Sequence, residues 1–472
     1  MRAEKLLVCF YIMLLIRIQS WSSLLPISYS ATVRYLPGFQ GPLPFEMETG
    51  YVGVGESEYV QLFYYFIKSS SENPEEDPLL LWLTGGPGCS ALSGLLYEIG
   101  PLHFVVKEYN GSLPNLVVNI QSWTQMASII FVDSPVGTGF SYSTSSQGYQ
   151  TGDFKASKDL YQFLTKWMID HPEFLENHFY VAGDSYSGKI VPLVAKEISD
   201  GNEAGSELFI NLKGYILGNP VTDPVFDSNK LVPFAHGMGL ISNELYESLK
   251  RSCGENYIQI DPSNVQCLKD IQSYDQCILG INSAQILEPL CPFASPKPQE
   301  VVGDRRRSLI RQNYTDDPQP PIPALGCRTY AYYLAPFWAN DDSVRKALHI
   351  RQGTIDKWQR CRNMLPYSYE IHSSIQYHLY LSEKGYPSLI YSGDHDMLVP
   401  FLATEAWIKS LNYSIINEWR SWIVEGQIGG YTRTYANHMT FATVKGGGHT
   451  APEYKPKECF AMFKRWISKQ PL

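Results

Sequence analysis

An α/β fold with a mostly parallel central sheet flanked by helices is predicted for this chain by three observations. Strand-like and helix-like segments alternate through the first half of the sequence. One apolar strand, Phe179-Tyr180-Val181-Ala182-Gly183-Asp184, runs through Ser185 and Tyr186-Ser187-Gly188 into a helix-like segment. Two later β-rich segments, at 388–392 and 441–444, each end in a turn that presents an aspartate or a histidine. With 472 residues, 44% hydrophobic and 13% aromatic, the chain can bury a large core and is too apolar for disorder.

At the N-terminus, Arg2 and Lys5 precede an apolar run at 6–16 and small or polar residues at 20–23. The run is too short for a bilayer, which takes about 20 residues, so 1–23 reads as a cleaved secretory signal. No other stretch is long enough to span. A first core segment follows at 24–218, with strands at 60–68, 79–84 and 129–133, a helix at 153–169, the strand into Ser185, a helix at 189–198 and a strand at 214–217. Residues 219–330 differ: they hold Cys253, Cys267, Cys277, Cys291 and Cys327, shorter helical pieces and little β signal, and read as a largely helical lid inserted over the site. Within it, 294–325 is a proline-rich exposed linker. Its Arg305-Arg306-Arg307 is either a processing site that would leave two chains or a plain solvated loop. The second core segment is 331–472.

The formal net charge of −9 argues against nucleic acid or an anionic membrane as partner. A secretory route predicts glycan acceptors and paired cysteines, and sequons stand at Asn110, Asn313 and Asn412. Apart from Cys9 in the signal, the cysteines are Cys89, Cys253, Cys267, Cys277, Cys291, Cys327, Cys361 and Cys459. None forms a CxxC pair, so disulfides are the expected use rather than zinc, with the pairing left open. No metal cluster spacing and no phosphate-binding glycine loop is found, so no cofactor is expected.

The strand–turn–serine–helix stretch reads as a nucleophile elbow. A serine hydroxyl needs a base to remove its proton and a carboxylate to orient that base. Asp396 (in Gly393-Asp394-His395-Asp396) and His449 (in Gly446-Gly447-Gly448-His449) supply them, in the Ser, Asp, His order of α/β-hydrolases, with Asp394 a rival to Asp396. The oxyanion of acyl chemistry needs two backbone N–H donors. Thr84-Gly85-Gly86-Pro87-Gly88 follows a strand, so the N–H of Gly86 can pair with that of Tyr186. Alone, the glycine run is an ordinary tight turn, Ser185 a helix cap, Asp396 a turn residue and His449 a buried polar group. Their conjunction, in order and each behind a strand, favours catalysis. The remaining histidines lack this context and read as surface or structural.

These motifs resemble the serine carboxypeptidase-like proteins of plants and fungi over nearly the whole mature chain. The resemblance rests on Leu81-Trp82-Leu83-Thr84-Gly85-Gly86-Pro87-Gly88-Cys89-Ser90, on Asp133 to Ser143, on the Ser185 elbow, on Gly218-Asn219-Pro220, on Tyr391 to Asp396 and on Gly446 to Pro452. It implies the α/β-hydrolase fold, selects Asp396 over Asp394, and implies disulfides Cys89–Cys361, Cys253–Cys267 and Cys291–Cys327, with Cys277 and Cys459 unassigned. It also places Trp82, Thr84, Gly85, Glu98 and Asp184 at the substrate. Family peptidases grip the substrate carboxylate with an asparagine where this chain has Thr84 and a glutamate where it has Asp184, while Glu98 matches their second glutamate. Losing a hydrogen bond to a charged group costs about 1.5–3 kcal/mol, which weakens peptide binding by one to two decades. The Thr84 and Asp184 pair is similar to the plant branch whose members are acyltransferases.

The first expectation is therefore an acyltransferase moving an acyl group from a 1-O-β-glucose ester to an alcohol acceptor in plant secondary metabolism. The second is a serine-type carboxypeptidase acting on peptide C-termini at acid pH. The third is a non-enzymatic secreted glycoprotein, disfavoured because no triad residue is missing. The secretory route leads to the vacuole or outside the cell.

Overall fold

The computed structural model describes residues 29–206, 208–292, 322–362 and 364–472. The expected signal, Arg305 to Arg307 and Asn313 lie outside the described residues. The central strands form where apolar residues run without interruption, as in Leu79–Leu83 and, after its first residue, Ser128–Val132. In chain order, those of the main sheet are β1 (Tyr29–Thr32), β2 (Met47–Val54), β3 (Val60–Ile67), β4 (Leu79–Leu83), β5 (Ser128–Val132), β6 (Tyr142–Ser143), β7 (Phe179–Asp184), β8 (Leu212–Gly218), β9 (Ser388–Gly393), β10 (Ile415–Val424), β11 (Gln427–Tyr435) and β12 (Met439–Val444). Their order across the sheet is β1-β2-β3-β5-β4-β7-β8-β9-β12-β11-β10, with β6 on β3.

The central run from β5 to β12 is parallel, and both ends are antiparallel, which makes the sheet mixed. Central strands bury both faces, so their side chains alternate between two cores. In β4, Leu79, Leu81 and Leu83 enter one core and Leu80 and Trp82 the other. On the first face pack the helices α1 (Asp153–Asp170) and α2 (Ser187–Glu203), through Phe163, Trp167, Val191 and Val194. On the opposite face sit Leu334 and Trp338 of the helix Tyr330–Ala339 and Met462 and Phe463 of the helix Pro456–Ile467. The helix after Ser185 runs from Ser187 to Glu203, longer than the 189–198 read from sequence. The β10–β11 hairpin was not legible because β10 is largely exposed and its pairing is broken by bulges.

Between Asn219 and Cys291 the chain forms α3 (Pro224–Asn229), α4 (Leu231–Gly237), α5 (Asn243–Cys253) and α6 (Val265–Ile278), and no strand occurs among the described residues of 219–330. Their boundaries follow local chemistry. Asp223 caps α3 by accepting from the N–H groups of Val225 and Phe226, Ser242 caps α5, and Gly254 ends α5 in the left-handed region at φ 60°. A small core of Leu231, Phe234, Leu249 and Tyr274 closes this unit and takes in Met397, the residue after Asp396. Disulfides join Cys253 to Cys267, Cys291 to Cys327 and Cys89 to Cys361, while Cys277 is exposed and Cys459 buried, both as free thiols. No helix among the described residues is long and apolar enough to cross a membrane.

Candidate active site

The parallel strands β4, β7, β8, β9 and β12 end side by side, and their terminal turns bring distant residues together. Ser185 follows β7 at φ 54°, a left-handed conformation that a side chain seldom adopts. The turn is held by Ser185 N–H donating to Gly218 O at 2.9 Å and by the Ser187 hydroxyl donating to Leu83 O at 2.8 Å. Close packing requires Gly183, where a Cβ would stand 2.5 Å from Leu83 O.

Ser185 Oγ lies 2.8 Å from His449 Nε2, and His449 Nδ1 lies 2.8 Å from Asp396 Oδ2. All three are buried. Asp396 is fixed further by the Leu398 N–H at 2.7 Å and by Asn219 Nδ2 at 2.8 Å. Asp394 turns elsewhere: its Oδ1 accepts from Gly446 N–H and contacts His395 Nδ1. Burial pulls the His449 pKa down, but the charge of Asp396, its hydrogen bond and the charge of Asp184 outweigh burial, and the net effect is upward. An imidazole poised this way accepts a serine proton and keeps it close.

Gly85 N–H donates to Asp184 Oδ1 at 3.1 Å. Neither the Gly86 nor the Tyr186 N–H donates to an acceptor among the described residues. A Cβ at Gly85 would stand 2.6 Å from Ser185 Cβ, so only glycine lets the two turns meet. The disulfide Cys89–Cys361 and the bond from Arg362 N–H to Gly88 O at 2.9 Å tie the glycine turn to the segment after residue 359.

Of the residues assigned to the substrate, Thr84 is half-buried and Trp82, Gly85, Glu98 and Asp184 are buried. Trp82 is fully buried, edge-on to Trp123 with ring centroids 5.8 Å apart, so any part it plays passes through packing. Thr84 Oγ1 is buried without a partner among the described residues, as is Glu98 Oε2. Burial pushes Asp184 up to about 6, and burial together with the charge of Asp184 pushes Glu98 well above the usual carboxylate range. A cavity of about 520 Å³ lies off the nucleophile and is lined in part by Tyr97, Arg328, Tyr332 and Glu453, where Glu453 is also close enough to Asp184 and Glu98 to repel them.

Other expected residues are placed plainly. Asn110 and Asn412 are exposed. His378 is fully buried between the Tyr215 hydroxyl at 2.9 Å and the Trp407 ring, a structural role. Asn219 was quoted only as part of a motif, without a task. Its φ of 43°, in a region that asparagine tolerates better than most residues, allows it to reach Asp396 with Nδ2 and to accept from Gly393 N–H with Oδ1 at 3.1 Å. The Gly-Asn-Pro run at a strand end was the available signal.

A match to the serine carboxypeptidase family covers residues 37–469. Serine carboxypeptidase-like 17 of Arabidopsis thaliana is 51% identical, covering 98% of this chain and 99% of its own. Serine carboxypeptidase-like 9 of the same plant is 55% identical, covering 93% and 94% respectively. A prohormone-processing carboxypeptidase from Saccharomyces cerevisiae superposes with a TM-score of 0.72 at 22% identity, covering 94% of this chain and 97% of that one, a likeness of fold.

Proposed function

The chain belongs to the serine carboxypeptidase family and is an enzyme of carboxypeptidase or acyltransferase type; from that premise we propose that it transfers an acyl group from a 1-O-β-glucose ester to an alcohol acceptor. Ser185 Oγ attacks the ester carbonyl as His449 Nε2 takes its proton. The tetrahedral oxyanion sits between the N–H groups of Gly86 and Tyr186. Collapse breaks the bond to the glucose oxygen, which leaves with the proton from His449. An acceptor hydroxyl then gives its proton to His449 and attacks the acyl-Ser185 carbonyl, and collapse returns the proton to Ser185 and frees the new ester. Asp396 holds the imidazole throughout, itself held by Asn219. A hydrolase differs only in admitting water at the second step, so exclusion of water is the selective feature.

The observation that carries the transferase reading is the substitution pair Thr84 and Asp184. A threonine offers no amide to a peptide carboxylate, and Asp184, one methylene shorter than glutamate, has Oδ1 engaged by the Gly85 N–H. Restoring the peptidase pair with Thr84→Asn and Asp184→Glu is expected to raise hydrolysis of a blocked dipeptide about ten- to a hundredfold, from about 1.5–3 kcal/mol of regained hydrogen bonding. Initial rates of amino-acid release measure it, and an unchanged rate overturns the assignment of these two positions.

The carboxypeptidase reading draws on one observation of its own. Burial pushes Asp184 up to about 6 and raises Glu98 well above the usual carboxylate range, which favours their protonated forms in mild acid, the condition in which a carboxyl pair can take up a substrate carboxylate. The deciding experiment gives secreted wild type and Ser185→Ala a panel of phenolic 1-O-glucose esters with mixed alcohols, beside a blocked dipeptide, with products read by mass spectrometry. New esters from wild type alone support the transferase; free amino acids without esters mean the peptidase. We place the enzyme on the secretory route to the vacuole or cell exterior, a setting that suits its three disulfides and the exposed Asn110 and Asn412.

A further inference from the structure

Four donors converge on one carboxylate that the acyl-transfer steps never touch. Asp153, the first residue of α1, is fully buried. Its Oδ1 accepts from the hydroxyls of Tyr186 at 2.8 Å and Tyr367 at 2.7 Å. Its Oδ2 accepts from the N–H groups of Glu370 and Ile371, both at 2.7 Å. A carboxylate has about four lone-pair sites, so the group is saturated. Burying it is costly unless every site is used, and two of the partners, Tyr186 and Tyr367, line the space beside Gly85 and Ser187.

Those partners lead by two routes to the two oxyanion donors. Tyr186 is the residue whose backbone N–H faces the developing oxyanion, and its ring is tethered at the far end by Asp153. Tyr367, Glu370 and Ile371 belong to the same stretch as Cys361 and Arg362, which hold the Gly86 turn through the Cys89 disulfide and the Arg362 N–H to Gly88 O bond. Ser90 N–H also donates to Arg360 O, at 2.7 Å. One carboxylate thus closes a frame that includes both donors. Directional hydrogen bonds at a tyrosine hydroxyl fix ring rotation and Cα position more tightly than apolar packing alone.

We propose that Asp153 is a positioning residue for the oxyanion site, acting through the Tyr186 hydroxyl to aim the Tyr186 N–H and through residues 367–371 to brace the Gly86 turn. The proposal rests on the assignment of Ser185, Gly86 and Tyr186, and holds for a transferase and a peptidase alike.

The test uses the full secreted chain and p-nitrophenyl acetate, a small ester that both activities accept, with competent sites counted from the acylation burst. Ser185→Ala sets the background. Tyr186→Phe keeps ring and backbone N–H but loses the tether, and Asp153→Asn keeps shape but loses acceptors. Site-normalised kcat is expected to fall about tenfold in Tyr186→Phe and about ten- to a hundredfold in Asp153→Asn, with KM within about threefold, as for a displaced oxyanion donor. Phenylboronic acid, which forms a tetrahedral adduct on the serine, is expected to lose affinity by the same factor as kcat/KM. Because Asp153 acts on catalysis largely through Tyr186, the double variant is expected to be no worse than Asp153→Asn.

A purely structural role would lower burst amplitude or melting temperature and leave kcat per site and boronate affinity alone, and that result overturns the proposal. Losses that multiply in the double variant also overturn it. If Asp153→Asn is not secreted, Tyr186→Phe decides by itself. Hydrolysis that survives in Ser185→Ala means the site is misassigned and takes the proposal with it, whereas a Ser185-dependent reaction unmoved by either variant rejects the role of Asp153 alone.

Discussion

Ser185→Ala is expected to lower acyl transfer or peptide hydrolysis about 10⁴–10⁶-fold while leaving the fold intact. The backbone bonds that shape the turn, Ser185 N–H to Gly218 O and Val221 N–H to Ser185 O, do not involve the hydroxyl. The left-handed φ of 54° is the same strain for alanine as for serine. What disappears is the hydroxyl that lies 2.8 Å from His449 Nε2, and the residual rate comes from the oxyanion donors and substrate binding. Steady-state rates, a melting curve and labelling by an active-site-directed fluorophosphonate check it together. A variant that melts like wild type and keeps more than about 1% of its rate would contradict a Ser185 acyl-enzyme.

Asp396→Asn is the next largest, a loss of about 10⁴-fold in kcat at near-neutral pH. Asp396 Oδ2 is shared by two donors, His449 Nδ1–H and Asn219 Nδ2, and Oδ1 takes the Leu398 N–H. An asparagine that keeps its oxygen toward Leu398 turns an NH₂ toward the imidazole. His449 then accepts at Nδ1 and carries its proton on Nε2, the atom that must take the proton from Ser185. The pH profile carries a second signature. In wild type the base is neutral only above a pKa raised beyond the usual imidazole value of 6.5, so acylation is lost as pH falls through that raised value. Without the Asp396 charge, burial dominates and the acid limb of kcat/KM moves to lower pH. Rates across the acid range measure the shift; a limb that stays in place would mean another group sets it.

The sequence by itself determined the two-core sheet at its centre, because strands such as Leu79–Leu83 and Phe179–Asp184 are apolar without a break and admit no solvent-facing side. It also pointed to Ser185, Asp396 and His449, since a turn immediately behind a strand leaves few places for the next side chain to go. Asp394 against Asp396 was beyond local pattern: both sit in one turn, and the choice depends on Gly446 N–H drawing Asp394 aside. The exposed, bulged β10–β11 hairpin was also out of reach, because register and exposure there are set by partners rather than by alternation.

Tertiary structure alone decided which polar groups serve the site from a distance. Asn219 reaches Asp396 across 177 positions of sequence, and Asp153 meets Tyr367 across 214. It also set the environment of Asp184 and Glu98: burial raises both pKa values, the charge of Asp184 adds to the rise at Glu98, and His449 and the Gly85 N–H hold the rise at Asp184 in check. Periodicity reports which face of a segment is buried, a local matter of side-chain polarity. A hydrogen-bond partner or a desolvation cost depends on what the rest of the chain brings alongside, and that is fixed only when the sheet and its two helical layers close.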